Sequence, residues 1–153
     1  MKNEKTLSHE FFMKEALKEA KIAFEEDEVP VGAIIVCNNK IIARSHNMCE
    51  KLKDVTAHAE MLAITSAQNY LNSKHLNNCS IYITIEPCLM CAAAIKYSKI
   101  KQIIFGCYDK KFGIFSNNIK LFNSKTNIIS GIFEKESAEL LKKFFNKKRN
   151  KVI

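Results

Sequence analysis

Two nearly continuous apolar runs constrain the fold of this chain more than any other feature. Residues 81–85 read IYITI, and residues 100–105 read IKQIIF. Apolar side chains at successive positions are typical of strands that are covered on both faces of a sheet. A helix-length segment, PCLMCAAAIKYS, lies between the two runs, and strands that alternate with helices imply a sheet between helical layers. The chain is therefore expected to belong to the α/β class.

The preceding segments extend the same α/β order. Apolar residues at helical spacing predict a first amphipathic helix over residues 7–26. The pair Asn38-Asn39 separates VGAIIVC from KIIARSHN, which predicts a β-hairpin. Next comes a helix-forming segment, TAHAEMLAITSAQNYL, with Thr56 as its expected N-cap, and Pro87 suits the first turn of the helix that follows.

The last third of the chain adds two predicted strands, in IKQIIFGC and TNIISGI, and a closing basic helix at about residues 134–150. With 153 residues, the chain can bury about two-thirds of its unfolded surface in one core. We expect a single domain over residues 1–153, folded as a three-layer α/β/α sandwich around a mixed central sheet of about five strands.

The composition predicts a soluble, cytoplasmic protein. The amino-terminal residues are too charged for a signal peptide, and no apolar stretch approaches the ~20 residues of a membrane span. In a reducing compartment the six cysteines are expected to be core residues or metal ligands rather than disulfides. Cys37, Cys79 and Cys107 lie in or beside apolar runs and are interpreted as core residues.

Positive charge is concentrated near the carboxyl terminus. The chain has 24 Lys and Arg against 16 Asp and Glu, and the segment from Leu140 onward is basic, lacks acidic residues and contains the pair Phe144-Phe145. Two interpretations stand side by side. The cations suit the negative end of a helix dipole. Basic and aromatic side chains together also suit the phosphates and bases of a nucleic acid.

Four polar residues interrupt segments that otherwise have the composition of a core: His58 and Glu60 in TAHAEMLAI, and Cys88 and Cys91 in EPCLMC. Taken separately, a C-x-x-C pair can be redox-active or buried, and a histidine between alanines is commonly a core residue. Together, one imidazole and two thiolates supply the three ligands of a catalytic zinc that keeps a position for water. Glu60 can exchange protons with that water, whereas a glutamate buried without such a task is costly.

H-A-E followed by P-C-x-x-C resembles the signature of the zinc-dependent nucleoside and nucleobase deaminases. The resemblance covers almost the whole chain. The segments EVPVGAIIV, HN, TAHAEMLAI, YITIEPCLMCAAAI, IIFGCYDKKFG and LLKKFFNKKR are similar to those of the bacterial tRNA adenosine deaminases, which convert the wobble adenosine of an anticodon to inosine. This resemblance implies a cytidine deaminase-like fold, an anticodon stem-loop of tRNA as substrate, and a homodimer.

The resemblance also implies roles for individual residues. His58, Cys88 and Cys91 would hold one Zn²⁺ per subunit, with Glu60 as the catalytic proton shuttle. The substrate-binding residues implied in the same way are Asn47 against the base, Asp109 near a neighbouring ribose, and Phe145 and Arg149 in the basic tail. Both residues also have an alternative interpretation without a role in substrate binding. Asn47 could be an ordinary turn residue, and Asp109 an ordinary loop carboxylate.

Two positions at the expected rim of the pocket depart from the family pattern. Phe115, Ser116 and Asn117 stand where many relatives have small residues, and Cys49 stands where some have proline. Two other functions are compatible with the same motifs. One is a deaminase of free nucleobases or nucleotides, such as guanine or cytosine. The other is a non-catalytic, zinc-stabilised RNA-binding module, which leaves Glu60 unexplained.

Overall fold

The structure, a computed structural model, describes residues 7–151. In chain order its elements are α1 (His9–Glu25), β1 (Gly32–Cys37), β2 (Lys40–His46), α2 (Cys49–Leu52), α3 (Ala59–Leu71), β3 (Cys79–Ile85), α4 (Leu89–Tyr97), β4 (Gln102–Cys107), β5 (Asn127–Ile129) and α5 (Glu134–Asn150). None of the helices within residues 7–151 is long and apolar enough to cross a lipid bilayer.

The five strands form one mixed sheet in the order β2-β1-β3-β4-β5. β1 runs antiparallel to β2 and β3, whereas β3, β4 and β5 are mutually parallel neighbours. Helices α1 and α5 pack on one face of this sheet, and α3 and α4 cover the other. The predicted three-layer α/β/α sandwich is therefore confirmed.

The apolar runs are buried on both faces, as their sequence predicts. Ile81 and Ile83 of β3 belong to the core under α3 and α4. Tyr82, between them, belongs to the second core under α1, together with Ile104 of β4. Because side chains alternate across a strand, each central strand needs apolar residues at every position.

The predicted hairpin is also confirmed. Asn38 and Asn39 connect β1 to β2 with φ angles of 49° and 61°. Two consecutive residues with positive φ are the hallmark of a type I′ turn, whose twist matches that of the paired strands, and asparagine tolerates this conformation better than most residues.

The two predicted helix starts are wrong by two residues each. Thr56 does not cap α3, because its hydroxyl donates to Asp54 Oδ1 at 2.7 Å and the N-cap residue is His58. Pro87 lies before α4, whose N-cap residue is Cys88. The short helix α2 was not predicted at all. The shifts in α3 and α4 place two of the expected metal ligands at helix N-caps.

Candidate metal centre and active site

His58, Cys88 and Cys91 come together at one end of the sheet. The Nδ1 atom of His58 lies 3.7 Å from the sulfur of Cys88 and 3.5 Å from the sulfur of Cys91. All three potential ligand atoms lie within 4.8 Å of one another, so the group can hold a metal ion. The side chains that the sequence predicts as ligands are thus adjacent in space, although about 30 residues separate His58 from the cysteines.

These separations fit a tetrahedral zinc site. Zinc binds cysteine sulfur at about 2.3 Å and histidine nitrogen at about 2.0–2.1 Å. At a tetrahedral angle those bond lengths place a nitrogen about 3.6 Å from each sulfur, and the observed distances of 3.5 and 3.7 Å bracket that value. The donor set, one imidazole and two thiols, is also one that zinc prefers.

Two helix N-termini converge on the group. His58 is the N-cap residue of α3, and Cys88 is the N-cap residue of α4. Neither side chain makes the hydrogen bond to its own helix that an N-cap residue usually makes. Both side chains are therefore free to bind a ligand, and the positive ends of the two helices favour negatively charged sulfur.

The two thiols differ in their pKa values. A hydrogen bond from Cys91 lowers the pKa of Cys88 to about 4, and the hydrogen bond to His58 acts in the same direction. The same hydrogen bond to Cys88, together with burial, raises the pKa of Cys91 far above its usual range. Adjacent thiolates repel each other unless a cation lies between them. The pair is thus chemically suited to a cation that both sulfurs share.

Glu60 lies beside this group with 3% of its surface exposed. Burial raises the pKa of its carboxyl group, and the neighbouring Cys88 contributes in the same direction. The carboxylate in turn helps raise the pKa of His58, for which the hydrogen bond with Cys88 is the largest cause. A carboxyl group with a raised pKa in a cleft is suited to exchange protons near neutral pH.

A cleft of about 1540 Å³ opens over these residues. Its walls include His58, Glu60 and Cys88, and also three of the four predicted substrate-binding residues, Asn47, Asp109 and Phe145. Cys91 is buried behind them. Arg149 does not line the cleft, and its guanidinium donates instead to Asn146 Oδ1 at 2.8 Å.

Asn47 is held in place on the cleft wall and is 93% buried, with 7% exposed. Its backbone N–H donates to the Val31 carbonyl at 3.1 Å, and its Oδ1 accepts from the Cys49 thiol at 3.2 Å. Burial raises the pKa of Cys49, so the thiol keeps the proton that it donates. Cys49, the departure from the family pattern, therefore orients the Asn47 amide.

Asp109 uses one carboxylate oxygen within its own loop. Oδ1 accepts from the backbone N–H groups of Lys111 at 3.0 Å and Phe112 at 3.1 Å. This arrangement is a local turn of the kind that aspartate commonly stabilises. Asp109 also lines the cleft, where its carboxylate has a second oxygen that can accept a hydrogen bond.

The two phenylalanines of the tail have different surroundings. Phe144 is buried, with its ring 6.3 Å from that of Phe24. Phe145 is 46% exposed and lines the cleft. Lys148 forms an ion pair with Asp27 at 2.6 Å, which joins the end of α5 to the end of α1. The tail is therefore both a packed helix and part of the cleft wall.

Sequence reasoning missed two buried glutamates near the cleft, Glu28 and Glu86. The carboxylate of Glu28 accepts from the backbone N–H groups of Glu50 at 2.5 Å and Lys51 at 3.1 Å. It thereby fixes the first turn of α2, next to Asn47. The available signal was an acidic residue directly beside apolar positions, in DEVPVG and in ITIEPC.

Comparison with known proteins places this geometry among deaminases. A family model for MafB19-like deaminases matches residues 7–149. A tRNA-specific adenosine deaminase of Aquifex aeolicus is 47% identical over 151 residues, which cover 96% of this chain and all of that protein. A solved structure from a study of A-to-I editing by tRNA:A34 deaminases at the wobble position superposes with a TM-score of 0.80. It is 41% identical and covers 85% of this chain and 98% of its own. A guanine deaminase structure from Bacillus subtilis is less similar, with a TM-score of 0.66 and 28% identity over 92% of this chain and 95% of its own.

Replacing a predicted ligand should remove the metal. We expect Cys88→Ala to purify with almost no zinc, because two remaining ligands bind zinc far more weakly than three. Cys79→Ala is the matched control, since Cys79 is buried in the core under α3 and should leave zinc at about one ion per chain. Elemental analysis of both variants measures the effect. Full zinc occupancy in Cys88→Ala would contradict the ligand assignment.

Proposed function

The chain belongs to the family of tRNA-specific adenosine deaminases, and we propose that it converts the wobble adenosine of a tRNA anticodon loop to inosine. In this reaction water adds at C6 of the purine and ammonia leaves. The observation that carries the proposal is the convergence of His58, Cys88 and Cys91 with the buried carboxyl group of Glu60 in one cleft.

Nδ1 of His58 and the sulfurs of Cys88 and Cys91 would hold one Zn²⁺ per subunit. When bound, zinc lowers the pKa of a coordinated water to about 7 and so supplies hydroxide at neutral pH. Glu60 lines the cleft beside these ligand residues, and its buried carboxyl group interacts electrostatically with Cys88 and His58. It accepts one proton of the attacking water, delivers it to N1 of the ring, and carries the second to the departing amine.

The substrate base has to leave its stack in the RNA to reach Glu60 and the candidate metal ligands in the cleft. An anticodon loop offers unpaired bases, so extrusion costs little there compared with a duplex. Asn47 presents an amide with both donor and acceptor groups on the cleft wall, which suits the edge of a purine. Asp109 presents a carboxylate at the mouth, suited to a ribose hydroxyl of the adjacent nucleotide.

The rim of the cleft is suited to RNA. Lys110 and Lys111 line it beside the exposed rings of Phe112 and Phe145. Ammonium groups neutralise loop phosphates, and aromatic faces stack on extruded bases. The formal net charge of +8 favours the approach of a polyanion. A free nucleobase needs neither the charge nor the aromatic rim, which makes that alternative the weaker one.

The proposal also includes the oligomeric state, the domain extent and the cellular location of the protein. Large apolar side chains stay exposed on the monomer at Leu52, Val55, Leu89 and Tyr97. Covering such side chains with a second copy would give the homodimer that the family resemblance implies. We further propose that residues 1–153 act as a single deaminase domain, and that the protein works in the cytoplasm, where its tRNA substrate is found.

An isolated anticodon stem-loop should be the better substrate. We expect inosine to form at the wobble position of the stem-loop, with free adenosine, guanine and cytosine turned over at least about 100-fold less efficiently, because they lack the rim contacts. Mass spectrometry of digested RNA measures the product. Deamination of a free base or nucleoside without any reaction on the stem-loop would overturn the proposal in favour of the alternative.

Glu60→Gln should separate chemistry from binding. Glutamine preserves the shape but cannot accept a proton, so kcat should fall by about 10²–10⁴-fold with zinc content and stem-loop affinity retained. Glu10→Gln, an exposed position in the first turn of α1, is the matched control and should keep full turnover. Turnover of Glu60→Gln at the parent rate would remove Glu60 from the mechanism.

The tail makes a separate prediction about RNA affinity. Phe145→Ala should weaken stem-loop binding by about 5- to 150-fold, the range expected for losing one base–aromatic stack. Phe11→Ala is the matched control, because the exposed fraction of Phe11 is a similar 42% and Phe11 lies near the start of α1, whereas the tail packs near the end of that helix. Arg149→Gln should also reduce the slope of log affinity against log salt by about 0.7. Equal affinities of both phenylalanine variants would limit the tail to a structural role.

A further inference from the structure

We propose that Glu86 is a positioning residue that latches the rim loop, defined here as residues 109–117, over the segment carrying the metal ligand Cys88. The latch rests on the proposed function in one respect, since it fixes the loop residues Asp109 and Phe112 that face the substrate. Glu86 itself does not touch the reacting atoms in this scheme.

In the described part of the chain, the side-chain hydrogen bonds of Glu86 all come from the rim loop. Its side chain is 1% exposed. Oε1 accepts from the backbone N–H of Asp109 at 3.1 Å and from the hydroxyl of Ser116 at 2.5 Å. Oε2 accepts from the backbone N–H of Ser116 at 2.9 Å. One carboxylate therefore holds both ends of the loop.

Backbone contacts close the loop onto the same segment. Ile114 donates its N–H to the Pro87 carbonyl at 3.2 Å, and Gly113 forms an isolated β-bridge with Cys88. A Cβ atom at Gly113 would overlap the carboxyl group of Glu86, so a larger residue there would have to displace the buried carboxylate. Because Gly113 has no side chain, the loop can pass directly over this carboxylate.

The loop and the Glu86 carboxylate stabilise each other. Within residues 7–151 Glu86 forms no ion pair with a lysine, arginine or histidine. A buried carboxylate is costly unless hydrogen bonds compensate it. All three donors that compensate Glu86 belong to the rim loop, so the loop and the carboxylate hold each other in one arrangement.

The hydrogen bonds of Glu86 also determine the positions of exposed side chains at the rim of the cleft. Asp109, anchored through its N–H to Glu86, accepts from the N–H groups of Lys111 and Phe112. Phe112 is thereby held outward, 61% exposed, with the Lys111 ammonium 5.0 Å from its ring centre. The positions of these rim side chains therefore follow from the hydrogen bonds of a buried carboxylate.

The three residues that depart from the family pattern build this latch. Ser116 supplies two of its three hydrogen bonds. Phe115 stacks on Phe105 of the core at a ring distance of 5.7 Å and an angle of 6°. The Asn117 side chain donates to the Gly113 carbonyl at 2.8 Å. In this chain these side chains therefore add to the contacts with Glu86 that hold the loop.

Ser116→Ala tests the latch because it removes one hydrogen bond and leaves both backbone donors. The chain has no tryptophan, so Phe112→Trp introduces a single fluorescent reporter of loop motion. In that background Ser116→Ala should lower the anisotropy of the indole. In the otherwise unaltered protein Ser116→Ala should raise KM for the stem-loop about tenfold, with kcat changed less than about twofold. Zinc content should stay at the parent value.

Two further variants provide the controls. Ser80→Ala also removes one serine hydroxyl hydrogen bond, from Ser80 to Gln102 Oε1 at 2.7 Å, where β3 and β4 begin. This variant should change neither the anisotropy nor KM. Ser116→Thr keeps the hydroxyl and should restore both the anisotropy and the KM of the parent protein. Glu86→Gln places an amide NH₂ group, which is a donor, against a backbone N–H donor. It should therefore lower the anisotropy and raise KM more than Ser116→Ala does.

Unchanged anisotropy of the indole in Ser116→Ala would overturn the latch. A lower anisotropy with an unaltered KM would overturn its role in substrate positioning. If the parent protein does not deaminate the stem-loop, the proposed function fails by itself, and the anisotropy still decides whether Glu86 and Ser116 hold the loop.

Discussion

The site depends on two helices that begin at the same point beside the sheet. α3 and α4 each start with a residue whose side chain turns away from capping its own helix, His58 in one case and Cys88 in the other. The positive ends of the two helices therefore meet where sulfur and carboxylate charge accumulates. The parallel pairing of β3 with β4 requires α4 to return over the sheet, so α4 starts where β3 ends, next to Glu86. The chemistry of the cleft is set by this topology before any substrate arrives.

Much of this arrangement is predictable from sequence because it depends on local patterns. The alternation of strands with helices, the Asn38-Asn39 turn and the three candidate metal ligands each have a short-range signature. The helix starts were predicted less well. Thr56 has a typical capping side chain, yet its hydroxyl donates to Asp54. The N-cap residue of α3 is His58, whose side chain lies in the candidate metal centre and does not cap the helix. A four-residue helix such as α2 has no periodicity to detect.

The supporting carboxylates were harder to predict for a physical reason. Glu28 and Glu86 are compensated by donors from residues 22 to 30 positions away, and most of those donors are backbone N–H groups that every residue carries. No residue type marks them in advance. Ser116 was noted only as a departure from a family pattern, whereas its contacts join it to the carboxylate beneath the loop. The composition of the basic tail also did not show which of its phenylalanines would be buried: Phe144 packs in the interior, whereas Phe145 is exposed and lines the cleft.

X-ray absorption at the zinc edge would show whether one imidazole and two sulfurs hold a single metal ion that keeps a fourth position for water. We expect two sulfur ligands at about 2.3 Å and two nitrogen or oxygen ligands at about 2.0–2.1 Å. One of the lighter ligands should be replaced when a substrate analogue is added. A shell of four sulfurs, or one without sulfur, would rule out this metal site.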